Sequence, residues 1–228
     1  MSTTIRHVHA RRVWDSRGRP TVEAEVLLAG GAVGRAIAPA GASTGNAEAV
    51  DLRDGGVRFG GMDVQRACAA VNGEIAAALA GRDAMQQEAN DAVLIALDGT
   101  PEKRRLGGNA LVATSMALAH AAAAAQQLPL WRHLAKGSTE PSAGFCLPLP
   151  EVQIFGGGAH AGRRVDVQDF MVIAVGAADY VQALEWTAEV YRSAGVLMAQ
   201  TGRLAGVADE GGWWPAFDTN EEALEFLL

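Results

Sequence analysis

Four segments of this 228-residue chain set polar side chains among residues too small to obstruct a ligand. The most site-like is Ala208-Asp209-Glu210-Gly211-Gly212-Trp213-Trp214-Pro215, two adjacent acids ahead of two glycines and two tryptophans. A carboxyl beside aromatic surface and a second acid can keep its proton to higher pH, which suits a general acid; the same pattern is also that of a solvated acidic turn. Gly156-Gly157-Gly158-Ala159-His160-Ala161-Gly162 places one histidine in a permissive backbone at the end of an apolar run. Sites gather there in α/β folds, although a lone histidine is often structural. Asp166-Val167-Gln168-Asp169-Phe170-Met171 puts an amide and a carboxylate just before another apolar run, as ligand groups or as strand-end polar residues. Ala40-Gly41-Ala42-Ser43-Thr44-Gly45 is either an ordinary loop or a mobile flap, in which a serine hydroxyl or a carbonyl oxygen is a hard ligand suited to Mg2+. It lacks the Gly-Lys-Ser/Thr ending of a phosphate-binding P-loop.

These loops need elements to hold them. Val22, Ala24, Val26 and Leu28 alternate with Thr21, Glu23, Glu25 and Leu27, the period of a half-buried strand. Gly30-Gly31 marks a hairpin turn, and residues 32–39 form a return strand. From Val64 the period changes: Val64, Cys68, Val71, Ile75 and Leu79 lie on one helical face. Residues 87–98 and 109–127 predict two more helices, the latter dense in alanine. Strands followed by helices make an α+β domain over 1–140. The Gly, Ser and Pro of residues 136–146 read as a linker. After it, 147–155 and 170–175 are candidate buried strands. A helix follows over 178–200, with Val181, Leu184, Ala188, Tyr191, Gly195 and Met198 on one face. The chain closes on a helix start, Thr219-Asn220-Glu221-Glu222, that runs to Phe226-Leu227-Leu228 without a stop signal. This end reads as an element cut off before its partners arrive, or as a docked C-terminal helix.

Composition narrows the function. A 49% hydrophobic chain with net charge −7 is not a disordered one. Two cysteines make no disulfide framework and suit a reducing compartment. No apolar run is long enough for a membrane span, and the start lacks a signal peptide's apolar stretch. A pI near 5.2 argues against nucleic acid as the main partner. The expectation is a cytoplasmic protein acting on small molecules.

Taken in order, the motifs resemble the enolase (phosphopyruvate hydratase) family. The likeness begins with Asp15-Ser16-Arg17-Gly18-Arg19-Pro20-Thr21-Val22-Glu23 and continues through Gly41-Ala42-Ser43-Thr44-Gly45, Leu52-Arg53-Asp54-Gly55 and Leu106-Gly107-Gly108-Asn109-Ala110. It resumes at Gly157-Gly158-Ala159-His160-Ala161, Val165-Asp166-Val167-Gln168-Asp169-Phe170-Met171 and Asp209-Glu210-Gly211-Gly212. The resemblance implies an α+β N-terminal domain over 1–140, then the first strands and helices of an incomplete TIM-like α/β barrel over 141–228. It implies Mg2+-dependent, reversible dehydration of 2-phosphoglycerate to phosphoenolpyruvate in glycolysis, by a homodimer built largely through the N-terminal domain. Glu210 then matches the acid that protonates the leaving hydroxyl. His160, Gln168 and Asp169 match substrate-binding positions, and Ser43 the flap ligand of a Mg2+ ion.

Three departures stand out. Asp169 replaces a glutamate, Ala40 replaces a serine, and Gln153-Ile154-Phe155-Gly156 replaces an asparagine-rich N-I-I-N stretch. The family's principal metal carboxylates, base lysine and phosphate-gripping arginine–serine pair have no counterpart in these residues. The isolated chain is therefore expected to be inactive. The alternatives are a non-catalytic half-length interaction piece, or a relative acting on another phospho- or phosphono-acid.

Overall fold

The alternation over residues 20–28 builds the first sheet. In a computed structural model that describes residues 2–41, 44–135 and 145–228, with His160 in its backbone only, β2 (Pro20–Leu28) lies between β1 (Ile5–Trp14) and β3 (Val33–Ala38). Both pairings are antiparallel. Val22, Ala24, Val26 and Leu28 are buried, as the period of two requires of the core face. The other face is more covered than a half-buried strand implies. Thr21 donates its hydroxyl to the Ala38 carbonyl at 2.5 Å, and Glu23 lies between Arg11 and Arg35 of the flanking strands.

The helical face that starts at Val64 is buried along its whole length. α1 (Gln65–Ala70) runs through a π turn (Val71–Ile75) into α2 (Ala76–Leu79). At that turn the Asn72 side chain accepts from Ala10 N at 2.6 Å and donates to Ala10 O at 3.0 Å, so it pairs with β1 as a strand would. α3 (Gln87–Asp98) ends at Gly99, whose φ of +71° is a left-handed conformation suited to glycine. The alanine-dense α4 (Gly108–Ala125) crosses the sheet with twelve of its residues buried. A Cβ at Gly34 of β3 would overlap Ala117 O and Ala121 N, so the small residues of strand and helix permit a very close approach. The short α5 (Leu130–Ala135), which the sequence reading did not include, follows Pro129.

The chain divides into two compact units, Met1–Pro141 and Ser142–Leu228. In the second, β4 (Glu151–Gly156), β5 (Asp169–Ile173), β6 (Leu204–Val207) and β7 (Trp213–Pro215) form a mixed sheet in the order β5-β4-β7-β6. Only β4 and β7 are parallel; β4 with β5 and β6 with β7 run antiparallel. The described residues form part of an α/β barrel and do not close it. Two expectations are corrected here. The strand placed at 147–155 begins at Glu151, because Pro148 and Pro150 cannot donate to a ladder. The loop placed at 207–215 is a hairpin with a strand on each side.

α6 (Tyr180–Gln200) is the helix expected at 178–200, capped by Asp179, whose carboxylate accepts from Gln182 N at 2.9 Å. Its inward face is partly the predicted one: Gly195 and Met198 are buried and Tyr191 packs against the core, whereas Val181, Leu184 and Ala188 are exposed and Ala183, Thr187 and Ala194 are buried in their place. The Trp213 ring lies against Gly195. A Cβ at Gly195 would come within 2.5 Å of it, so the face beside this indole must be small. α7 (Asn220–Leu227) begins at Thr219, whose hydroxyl accepts from Glu222 N at 3.1 Å. Phe226 of α7 packs with Phe155 and Phe217, in a core that also holds Phe170. Among the described residues no helix is long and apolar enough to cross a membrane.

Candidate active site

Gln153 is the one long polar side chain in the middle of β4, and it faces the loop between β6 and β7. Its carbonyl oxygen accepts from Gly212 N at 2.9 Å, which fixes the other end of the amide as the nitrogen. That nitrogen carries two protons and meets two carboxylates. It donates to Asp169 Oδ1, at the first residue of β5, and to Glu210 Oε2 at 3.1 Å. Two acids 41 residues apart in sequence are thus held on one neutral donor, which relieves the repulsion of bringing them together.

The loop that carries Glu210 is built to stay in place. Ala208 N donates to Gly212 O at 2.8 Å, and Gly211 N to Ala208 O at 3.0 Å. Gly211 takes φ +100°, where another residue would be strained. The Tyr191 hydroxyl of α6 donates to Gly211 O at 2.9 Å. Burial pushes the Tyr191 phenol above its ordinary value, so it stays a donor at neutral pH. Trp213 stacks on the Tyr191 ring, with centroids 4.8 Å apart, and its indole N–H donates to Tyr191 O. Trp214 donates its indole N–H to Ala161 O at 2.9 Å. Both tryptophans brace the loop, and Glu210 is exposed on it.

The other sequence candidates fall differently. Gln168 is exposed and contributes its backbone: its carbonyl accepts from Gly157 N at 2.6 Å. With Gly158 N donating to Val165 O, this bond closes the chain into the turn Gly158–Ala161. His160 lies in that turn, and its side chain is outside the described residues. The Asn220 side chain secures the other limb of the loop, accepting from Asp166 N and Val167 N at 3.1 Å each. Ser43 is outside the described residues. So Asp169 and Glu210 come together, the Gln168 side chain is not among their bonded partners, and Gln153, which motif reading marked only as a departure from N-I-I-N, is the residue that joins them. The available signal was a lone amide inside an otherwise apolar strand, Val152-Gln153-Ile154-Phe155.

Among the described residues no three His, Cys, Asp or Glu side chains gather as metal ligands. An amide nitrogen, which cannot ligate a cation in this form, stands between the two carboxylates. The described residues therefore do not make a Mg2+ cage by themselves.

Residues 5–134 match the family model described as Enolase, N-terminal domain, and residues 144–228 match that described as Enolase, C-terminal TIM barrel domain.

Proposed function

The chain belongs to the enolase family, and from that premise we propose that residues 145–228 carry the acid half of an enolase-type site. The observation that carries this reading is the gathering of Asp169 and Glu210 around Gln153 at the strand ends. The reaction is the reversible loss of water from 2-phosphoglycerate. A proton leaves C2, its electron pair forms the double bond, and the C3 hydroxyl departs with a proton to give phosphoenolpyruvate and water. Glu210 is the donor of that second proton. Gln153 bonds to Oε2 of Glu210 and so holds the carboxyl in place for that transfer. Asp169, Gln168 and His160 orient the substrate. By family resemblance Mg2+ would be the cofactor; Ser43 matches one of its ligands, and the ion would supply charge stabilisation for the electrons left at C2.

The chain's two lysines are Lys103 and Lys136, so residues 145–228 offer no lysine to take the C2 proton. The same fact, with the absence of a metal-ligand cluster among the described residues, favours a second reading: a non-catalytic piece that acts through association. A glycolytic role, a cytoplasmic location and a homodimer follow from family membership as parts of the first reading.

Complementation separates the two. The purified chain with Mg2+ and 2-phosphoglycerate is expected to form no phosphoenolpyruvate. Mixed with a separately produced family barrel segment that contains the lysine and the phosphate grip, it is expected to gain turnover that Glu210→Gln abolishes. Turnover by the chain alone, or complemented turnover indifferent to Glu210→Gln, would overturn the assignment.

A further inference from the structure

The departures at 153, 156 and 169 meet at one point in space. Gln153 has one methylene more than the asparagine of the N-I-I-N pattern, and Asp169 has one fewer than the glutamate it replaces. The combined length of the two side chains is unchanged, and they are hydrogen-bonded. Gly156 replaces the second asparagine of that pattern and sits opposite Asp169 in the ladder. A Cβ at Gly156 would lie 2.9 Å from Gln153 Oε1 and 2.7 Å from Ala208 Cβ. A Cβ at Gly212 would lie 2.5 Å from the same oxygen. The longer amide therefore occupies room that a side chain at 156 would need, and a register shift between Gln153 and Phe155 adjusts the strand there.

We propose that Gln153, Gly156 and Asp169 are one correlated set, with Gln153 the positioning residue that holds the Asp169 and Glu210 carboxylates together. The shorter side chain sets the residue-169 carboxylate back toward its own strand, β5, by about the length of one C–C bond, ~1.5 Å, and the longer amide from β4 follows it and keeps it bonded. The bond to Gly212 N and the bond to Glu210 link that carboxylate to the 208–212 turn through a single side chain. Gln153 acts through the two acids and does not itself react. The proposal rests on the reading of those acids as substrate-facing groups, and its test is independent of turnover.

The test uses the whole chain, with urea unfolding followed at the indole N–H signals of Trp213 and Trp214. Gln153→Asn alone leaves a gap before Asp169, and Asp169→Glu alone crowds the amide. Each is expected to raise the unfolding equilibrium constant roughly tenfold, the scale of one lost hydrogen bond in a partly buried site. Together they restore the original summed length and are expected to return within about threefold of the parent. Gly156→Asn is expected to be tolerated only when Gln153→Asn and Ala208→Gly both make room for it. A second readout is the Gln153 side-chain amide signal, which is expected to move both in Asp169→Asn and in Glu210→Gln. Multiplicative losses in the double variant, or an amide signal that neither substitution moves, would overturn the proposal. If the coupling is found and complementation still yields no turnover, the functional reading falls and the correlated set stands.

Discussion

The two units solve the problem of polar groups beside a core in opposite ways. In the first, charges are covered and paired. Asp63 is 2% exposed and receives a two-pronged bond from Arg12 at 2.9 and 2.8 Å, with Val64 N donating to it as well. Asp98 is also 2% exposed and accepts from Leu106 N, Thr100 N and the Thr100 hydroxyl. These acids are fully engaged and hold helices and strands together. In the second unit the acids at the site, Asp169 and Glu210, are partly or wholly exposed and share one amide. A carboxylate fully bonded inside a core supports the fold; an exposed one at a strand end can meet a ligand. Under the proposed function the covered acids of the first unit hold its fold and the exposed pair of the second faces the substrate.

The comparison can be tested from its strongest contact down. Phe155 is fully buried against Phe170, Phe217 and Phe226. Phe155→Ala is expected to cost about 4 kcal/mol in the second unit and to leave unfolding of the first unchanged, as read from indole signals assigned to each. Equal losses in both units would mean that they do not carry separate cores. Gly34→Ala should cost about 3 kcal/mol in the first unit, because the new methyl group must part β3 from α4. A stable Gly34→Ala chain with an unchanged sheet would show that this close approach is not needed.

Asp63→Asn should cost about 2 kcal/mol, since it leaves the Arg12 guanidinium without its charged partner. Acid should produce the same loss. Burial pushes the Asp63 carboxyl up, but bonds from Arg12 and Val64 N outweigh it and hold the group below its ordinary 3.8. A folded-state value below the unfolded one gives stability that is complete above pH 3.8 and lost as the pH falls through the folded value. Asp98 is depressed in the same way: burial raises it, and the Thr100 hydroxyl and the Leu106, Thr100 and Arg105 backbone bonds more than offset that. Urea midpoints measured from pH 5 down to pH 2 should therefore fall for the parent and be flatter for Asp63→Asn. The smallest effect is at the second unit's margin. Thr219→Ala removes the α7 cap and should cost about 1 kcal/mol, read as faster amide exchange at Glu222 and Ala223.

How much of this could be read beforehand follows from what each residue touches. β2 and the helix from Val64 were legible because their partners are a flat sheet and a flat helical face, so periodicity alone selects the inward residues. α6 was legible in its C-terminal half, where Gly195 and Met198 face the core, and not at Val181, Leu184 and Ala188, where apolar side chains are exposed. Beside Gly195 the Trp213 ring fills the space, and that position has to be small. The strands around Glu210 were hidden by brevity: Leu204–Val207 and Trp213–Pro215 are too short for a period to show. Glu210 was legible as a candidate through the glycines beside it, and Asp169 through its place just before an apolar run. Their meeting was not, because it depends on Gln153, a residue with no motif of its own and a role set entirely by register and by the empty space at Gly156 and Gly212.

The most direct test of the proposed site is residue-by-residue NMR mapping of the 228-residue chain during titration with 2-phosphoglycerate and Mg2+. The account predicts concentration-dependent shifts centred on Gly156, Asp169 and residues 210–212, including the Gln153 side-chain amide, with β1 and β2 unmoved. Shifts centred on the β1–β2 sheet, or none at 153, 169 and 210–212 at millimolar ligand, would contradict it.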